Sequence, residues 1–389
     1  MNPRRTLLEL FVAALRAVDG LACVERELRN FGAGPVAVFA VGKAASAMAR
    51  GAHAALGERV EQMLVITKDG HVDPELARLS RVTIFESAHP VPDERSLAAG
   101  AELERRIVTL GAGIAPLFLV SGGSSSLVEH LVDGASLDQL RALNRHGLAA
   151  GWDIATLNAE RVRLSRLKGG GVARLLGARS ALALFISDVP GDDPGVIGSG
   201  LLGPDNGGDD AIERVVVANI DVALRKAVDV AHAHGLRFET RAERFAADAT
   251  EVAREFIAAL RTTDADGLVW GGESTVKLPP RHGRGGRNGH LALAAACLLK
   301  PGEHLILLAA GTDGTDGSTT DAGAIVDAGT IERAEIGGCD VERALREFDS
   351  GTALEASQDL VHTGPTGTNV GDILIGLKAP FTRAARTGN

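Results

Sequence analysis

Three groups of residues in this chain have types and spacings suited to chemistry. The first is Ser187-Asp188-Val189-Pro190-Gly191-Asp192-Asp193-Pro194, which sets three carboxylates close together directly after the apolar run 181–186. In an open α/β sheet, ligands bind outside the carboxyl ends of the strands. Carboxylates clustered there suit a divalent cation or the proton of a reacting hydroxyl; a solvated turn would use Asp, Gly and Pro for shape alone. The second group is a pair of cations. Lys43 follows the apolar run 35–41 and opens an Ala-rich helix over 44–56, and Arg287 ends the basic glycine loop 281–288 before a helix over 291–299. A cation at a helix start opposes the macrodipole and the free N–H groups, a poor position for stability and a good one for holding an anion. The plainer alternative is a surface lysine tolerated at small cost. The third group is Ser121-Gly122-Gly123-Ser124-Ser125-Ser126, between a strand pattern and a helix pattern. Such a loop can offer backbone N–H groups and hydroxyls to phosphate, although a Gly/Ser turn needs no ligand. It is neither a Walker A loop nor a GxSxG elbow.

Other strand ends carry related loops. Gly271-Gly272-Glu273-Ser274 is one, and Gly311-Thr312-Asp313-Gly314-Thr315-Asp316-Gly317 is an acidic nest without EF-hand spacing. Thr366, Gly367, Thr368 and Asn369 bring hydroxyls and an amide, with no acid until Asp372. His89, held extended before Pro90, reads as an ordinary polar loop group. Together these loops supply what phosphoryl transfer uses: cations, backbone cradles, and carboxylates for Mg²⁺ or the attacking hydroxyl. A dehydrogenase would carry GxGxxG after its first strand, where this chain has VGKAASA. No loop pairs a nucleophilic serine with a histidine and an acid.

The elements that must position these loops alternate strand and helix almost throughout. The fold class is therefore α/β with largely parallel sheets, and 389 residues imply two domains. The basic stretch 161–168 before Gly169-Gly170-Gly171 reads as a solvated face. The Gly/Asp-rich segment 203–210 is a candidate seam. Composition narrows the function further. A net charge of −9 and only 3% aromatics argue against a nucleic-acid binder. No run reaches the length of a membrane span. Three scattered cysteines point to a reduced, cytoplasmic setting.

The segments VGKAASAMA (41–49), AHPVPDE (88–94), SGGSSSL (121–127), LSRLKGG (164–170), SDVPGDDPGVIGSG (187–200), GGESTV (271–276), GRGGRN (283–288), GTDGTDG (311–317) and TGPTGTN (363–369) occur in this order. The set resembles the glycerate 2-kinase family with a C-terminal MOFRL domain, some members of which have been labelled hydroxypyruvate reductase. The resemblance implies a larger Rossmann-like N-terminal domain over 1–240, a smaller MOFRL domain over 265–385, and an active site in the cleft between them. It implies ATP- and Mg²⁺-dependent phosphorylation of D-glycerate at the 2-hydroxyl. Lys43, Arg287 and Asp188 are then the expected catalytic residues, with Asp188 and Asp192 on the metal and Asp193 structural. Ser121, Gly122, Gly123 and Ser124, with Thr366, Gly367, Thr368 and Asn369, are expected on phosphate or nucleotide. Glu273, Asp313 and Asp316 are secondary substrate contacts. Gly289-His290 stands where the family usually has Gln-Glu. The expected partners are D-glycerate and ATP, with neither nucleic acid nor membrane, and a homodimer is possible. The alternatives are a kinase for another small hydroxy acid, a hydroxypyruvate reductase, or a catalytically silent nucleotide-binding protein.

Overall fold

The computed structural model describes residues 2–149, 154–203 and 211–379, so most of the candidate seam at 203–210 lies outside the described residues. Contacts divide the chain into two compact units that interleave in sequence. One contains the described residues of Val18–Asn219 with Gly367–Val370. The other contains those of Met1–Ala17, Ile220–Thr366 and Gly371–Asn389.

The first unit is built on six strands: β1 (Val36–Val41), β2 (Val60–Lys68), β3 (Val82–Ser87), β4 (Ala115–Ser121), β5 (Ala181–Ile186) and β6 (Ile212–Ala218). They pair in the order β3-β2-β1-β4-β5-β6, and every pairing is parallel. Parallel sheets are covered on both faces, so their central strands read as continuous apolar runs rather than alternating ones. β1 fits this rule, being buried at all six positions. Phe39 stacks on Phe118 of the neighbouring strand at 5.1 Å, and Leu64, Leu103 and Phe185 complete that layer. The strand order reverses direction between β1 and β4. At such a switch point the loops leaving the two strands turn to opposite faces and open a crevice.

The second unit holds β7 (Phe238–Thr240), β8 (Gly267–Gly272), β9 (Leu305–Gly311), β10 (Gly323–Asp327), β11 (Leu360–Val361) and β12 (Asp372–Lys378), in the order β11-β10-β9-β12-β8-β7. Here the expectation of parallel sheets fails locally. Only β7 and β8 run parallel; every other pairing is antiparallel. The buried runs in β8, β9 and β12 look alike in either arrangement because helices cover the sheet. The helix Arg287–Leu298 is buried from Asn288 through Ala296, and it packs with the helix Ala249–Thr262 around Phe256 and Trp270. The helix Pro3–Ala17 joins this unit. Arg4 bridges Asp327 at 2.8 Å and Asp359 at 2.5 Å, and the latter carboxylate is almost fully buried.

The basic stretch corrects a second expectation. Lys168 is fully buried, not solvated, and its ammonium donates to the equally buried Glu129. Burial pulls the Lys168 amine below the usual lysine range, against the opposing pull of Glu129. The other Glu129 oxygen accepts from Ser165 Oγ at 2.5 Å. The pair lies beneath the glycines that follow. Gly169 and Gly170 donate their N–H groups to the carbonyls of Ser199 and Gly200, at 3.0 and 2.7 Å.

Candidate active site

In the first unit, the loops leaving β1 and β4 are stitched together at the switch point. Lys43 N donates to Gly122 O at 3.0 Å, and Ala44 N donates to Ser121 Oγ at 3.0 Å. Gly42 has φ 128°, and a β-carbon there would collide with Ser121. Lys43 is half-buried and stands just before the helix Ala45–Leu56. The β5 loop joins this group through Asp188. A β-carbon on Gly122 would overlap both the Asp188 carboxylate and the Asn369 amide. Asn369 Nδ2 donates to Asp188 Oδ2 at 2.8 Å. Five of the expected residues thus meet at one sheet edge: Lys43, Gly122, Gly123, Asp188 and Asn369.

Ser121 and Ser124 are placed differently. Both are fully buried. Ser121 Oγ takes the Ala44 N–H, and Ser124 Oγ donates to Ser121 O at 2.8 Å. Their hydroxyls hold the loop's shape. Asp192 accepts from Asn219 Nδ2 at 2.6 Å, and Asp193 accepts from Gly195 N at 2.7 Å, a local turn. Among the described residues, no three His, Cys, Asp or Glu side chains converge as a ready cation cage. Mg²⁺ seldom needs one, since it usually keeps several waters and takes one or two carboxylates plus substrate phosphates. Asp188 and Asp192 leave the same loop, and each accepts from an asparagine amide, Asn369 and Asn219 respectively.

In the second unit, Arg287 is the first residue of its helix and about a third exposed. Its Nε and Nη2 donate to the two oxygens of Asp372 at 2.5 and 3.1 Å, a bidentate fork on a buried carboxylate. Its Nη1 meets the exposed Glu273 at 2.6 Å. Burial pulls the guanidinium's pKa down, but Asp372 and Glu273 outweigh it and keep the group firmly charged. Asp316 caps the same helix from outside, accepting from Asn288 N at 2.9 Å and Gly289 N at 2.7 Å. Burial pushes its carboxyl up to about 6, although those two amides pull the other way. Both its oxygens are committed to the helix end. Asp313 Oδ1 accepts from Thr315 N at 3.0 Å in a turn of the same loop. Thr366 donates to Thr312 O at 2.5 Å in this unit, whereas Gly367, Thr368 and Asn369 belong to the first. Asp372, which orients Arg287, is marked in the sequence only by its position at the start of β12, directly after a hydroxyl-rich loop.

Two family models match the chain: a domain of unknown function (DUF4147) over residues 6–232 and the MOFRL family over 266–372. D-glycerate 2-kinase of Thermotoga maritima is 33% identical, covering 96% of this chain and 98% of its own. The chain belongs to the glycerate 2-kinase family. A crystal structure of glycerate kinase from Thermotoga maritima superposes with a TM-score of 0.83 at 32% identity, over 96% of this chain and 99% of that one. A protein of Agrobacterium vitis, provisionally named a hydroxypyruvate reductase, is 33% identical over 96% of this chain and 94% of its own.

Gly289 and His290 are both buried. Gly289 lends its N–H to Asp316, and His290 stacks on Phe348 at 4.6 Å. No helix of the described residues is long and apolar enough to cross a membrane.

Proposed function

We propose that this protein transfers the γ-phosphoryl group of ATP to the 2-hydroxyl of D-glycerate, forming 2-phosphoglycerate and ADP. The observation that carries this reading is the meeting of Lys43, Asp188 and the bare glycines 122 and 123 at the sheet's switch point. The hydroxyl oxygen bonds to the γ-phosphorus as the bridging oxygen leaves on ADP, and the hydroxyl proton passes to the Asp188 carboxylate. Asn369 orients that carboxylate from one side. Lys43 offsets charge on the transferring group, and the bare Gly122 lets the Asp188 carboxylate sit close beside it. Asp192 would hold Mg²⁺, which neutralises phosphate charge when bound. Arg287, oriented by Asp372 and paired with the exposed Glu273, is a second candidate to bind a substrate anion. The free cysteines 23, 297 and 339 are in keeping with a reducing cytoplasm, where ATP is supplied.

The strand order β3-β2-β1-β4-β5-β6 also occurs in dinucleotide-binding enzymes, which gives the reductase reading its one structural support. Fold does not imply function, however, and the turn after β1 carries Lys43-Ala44-Ala45 in place of the glycine fingerprint. The test is ADP release with ATP, Mg²⁺ and D-glycerate, with phosphorus NMR distinguishing the 2-phosphate from the 3-phosphate. The kinase reading predicts glycerate-dependent ADP and a 2-phosphate. Oxidation of a reduced nicotinamide by hydroxypyruvate, with no ADP release, would replace it with the reductase.

A further inference from the structure

The loop after β3 lies where an ordinary surface turn need not. β3 is three strands from β4, roughly 14 Å at a strand spacing of about 4.8 Å. Yet the His89 side chain rests against the β4 loop. A β-carbon on Gly123 would lie 3.3 Å from His89 Cδ2, 3.4 Å from its Nε2 and 3.0 Å from Lys43 Cγ. One bare glycine thus has the histidine and the lysine against it. Gly123 also has φ 84°, a conformation in which a side chain would be strained.

The reach is built in. The loop leads into the helix Glu94–Val108, whose cap Asp93 accepts from Arg95 N at 3.0 Å. The first turn of that helix is seated on the exit of β4: Ser96 Oγ donates to Ser126 O at 2.8 Å, and Glu129 N donates to Ser96 O at 3.0 Å. Arg95 also grips Asp69, just beyond β2, at 2.5 and 2.8 Å. A polar loop group needs none of these tethers.

We infer that His89 is a substrate-contacting residue, and that its imidazole and the Lys43 ammonium hold one oxyanion of the substrates beside the β4 loop. An imidazole N–H donates to an anionic oxygen, and the bare Gly123 lets the histidine ring and the lysine stem pack side by side against one point of the backbone. This rests on the kinase reading for the identity of the oxyanion, which is either a phosphate oxygen of the nucleotide or the carboxylate of the hydroxy acid. The contact is a hydrogen bond, with no bond made or broken at His89.

The test compares wild type, His89→Ala and His89→Asn in the full chain, varying ATP and D-glycerate separately and titrating inorganic pyrophosphate by calorimetry. His89→Ala is expected to lower kcat/KM by about 10–100-fold, the range of one hydrogen bond to a charged group. A raised KM for ATP together with weaker pyrophosphate binding assigns the phosphate; a raised KM for D-glycerate alone assigns the carboxylate. His89→Asn, which keeps an N–H donor, should recover part of the loss, and it carries the comparison if the alanine variant does not fold. Values of kcat/KM within twofold of wild type for both substrates overturn the inference. If the wild type turns over no D-glycerate, the kinase reading fails separately. Pyrophosphate then decides: a tenfold weakening in His89→Ala supports the contact, and unchanged or undetectable binding overturns it.

Discussion

The two units carry loops of nearly the same composition and use them in opposite ways. At the β1 and β4 ends, Gly42, Gly122 and Gly123 stand where a β-carbon would strike a neighbour, and the side chains gathered there, Lys43 and Asp188 among them, come from several strand ends. In the second unit the Gly/Asp loops are closed on themselves. Asp316 spends both oxygens on the helix that begins at Arg287, and Asp372 spends both on the Arg287 fork. A glycine–aspartate loop is thus ambiguous until its bonds are known. Where its carboxylates cap a helix or pin a guanidinium fork it is architecture, and where a carboxylate is gathered with a cation at the switch point of a parallel sheet it is a candidate site.

The sharpest way to break this contrast is Lys43→Ala. We expect kcat to fall by about 10²–10³-fold, the scale of losing one preorganised charge-stabilising donor, with thermal stability almost unchanged. Near wild-type ADP release would remove Lys43 from the chemistry. Gly122→Ala comes next. Its methyl group must displace Asp188 or Asn369, so activity should drop by about 10²-fold while the protein still folds; unchanged kinetics would show that Asp188 tolerates relocation.

Asp316→Asn probes the opposite, architectural prediction through pH. A carboxyl raised to about 6 in the folded state stabilises the fold fully below its ordinary value near 4. That contribution is lost as pH rises through 6, because the folded state is the one that keeps the proton. Urea unfolding of wild type should therefore show a loss of about 2–3 kcal/mol from this group between pH 4 and 7, a slope absent from Asp316→Asn. Parallel pH profiles for the two proteins would contradict the burial argument. The smallest effect belongs to Glu273→Gln. Glu273 is more than half exposed, so stability should change by less than about 1 kcal/mol. KM for D-glycerate should fall slightly as Arg287 loses a competitor; a marked rise would make Glu273 a substrate ligand instead.

Much of the first unit was legible in the residues. Continuous apolar runs such as Val36–Val41 identify buried parallel strands, and the polar loops after them follow from the chain's need to turn at the sheet edge. The loops and the family resemblance single out Lys43, Asp188 and Asn369, and all three lie against Gly122. What was hidden depends on partners far apart in the chain. Lys168 looks like part of a solvated basic run until Glu129 is found 39 residues away. Asp372 looks like the end of a loop until it meets Arg287 across 85 residues. Local patterning reports which face of an element is apolar, and it carries no record of which distant charge closes a buried pair. The same blindness let the antiparallel C-terminal sheet pass for a parallel one, because a strand covered on both faces loses the alternation that marks direction.

The place of β12 in its sheet bears on how the protein is made. It is the last strand in sequence, yet it lies between β9 and β8 with a pairing partner on each side. On a ribosome the parallel sheet of the first unit can assemble from strands already synthesised. The second sheet cannot close, because the edges of β8 and β9 wait unpaired for a neighbour still to be translated. The helix Pro3–Ala17, made before both, waits as well, since it packs on β9 and β12. The nascent chain thus carries exposed strand edges late into translation, the interval in which edge-to-edge association is a hazard.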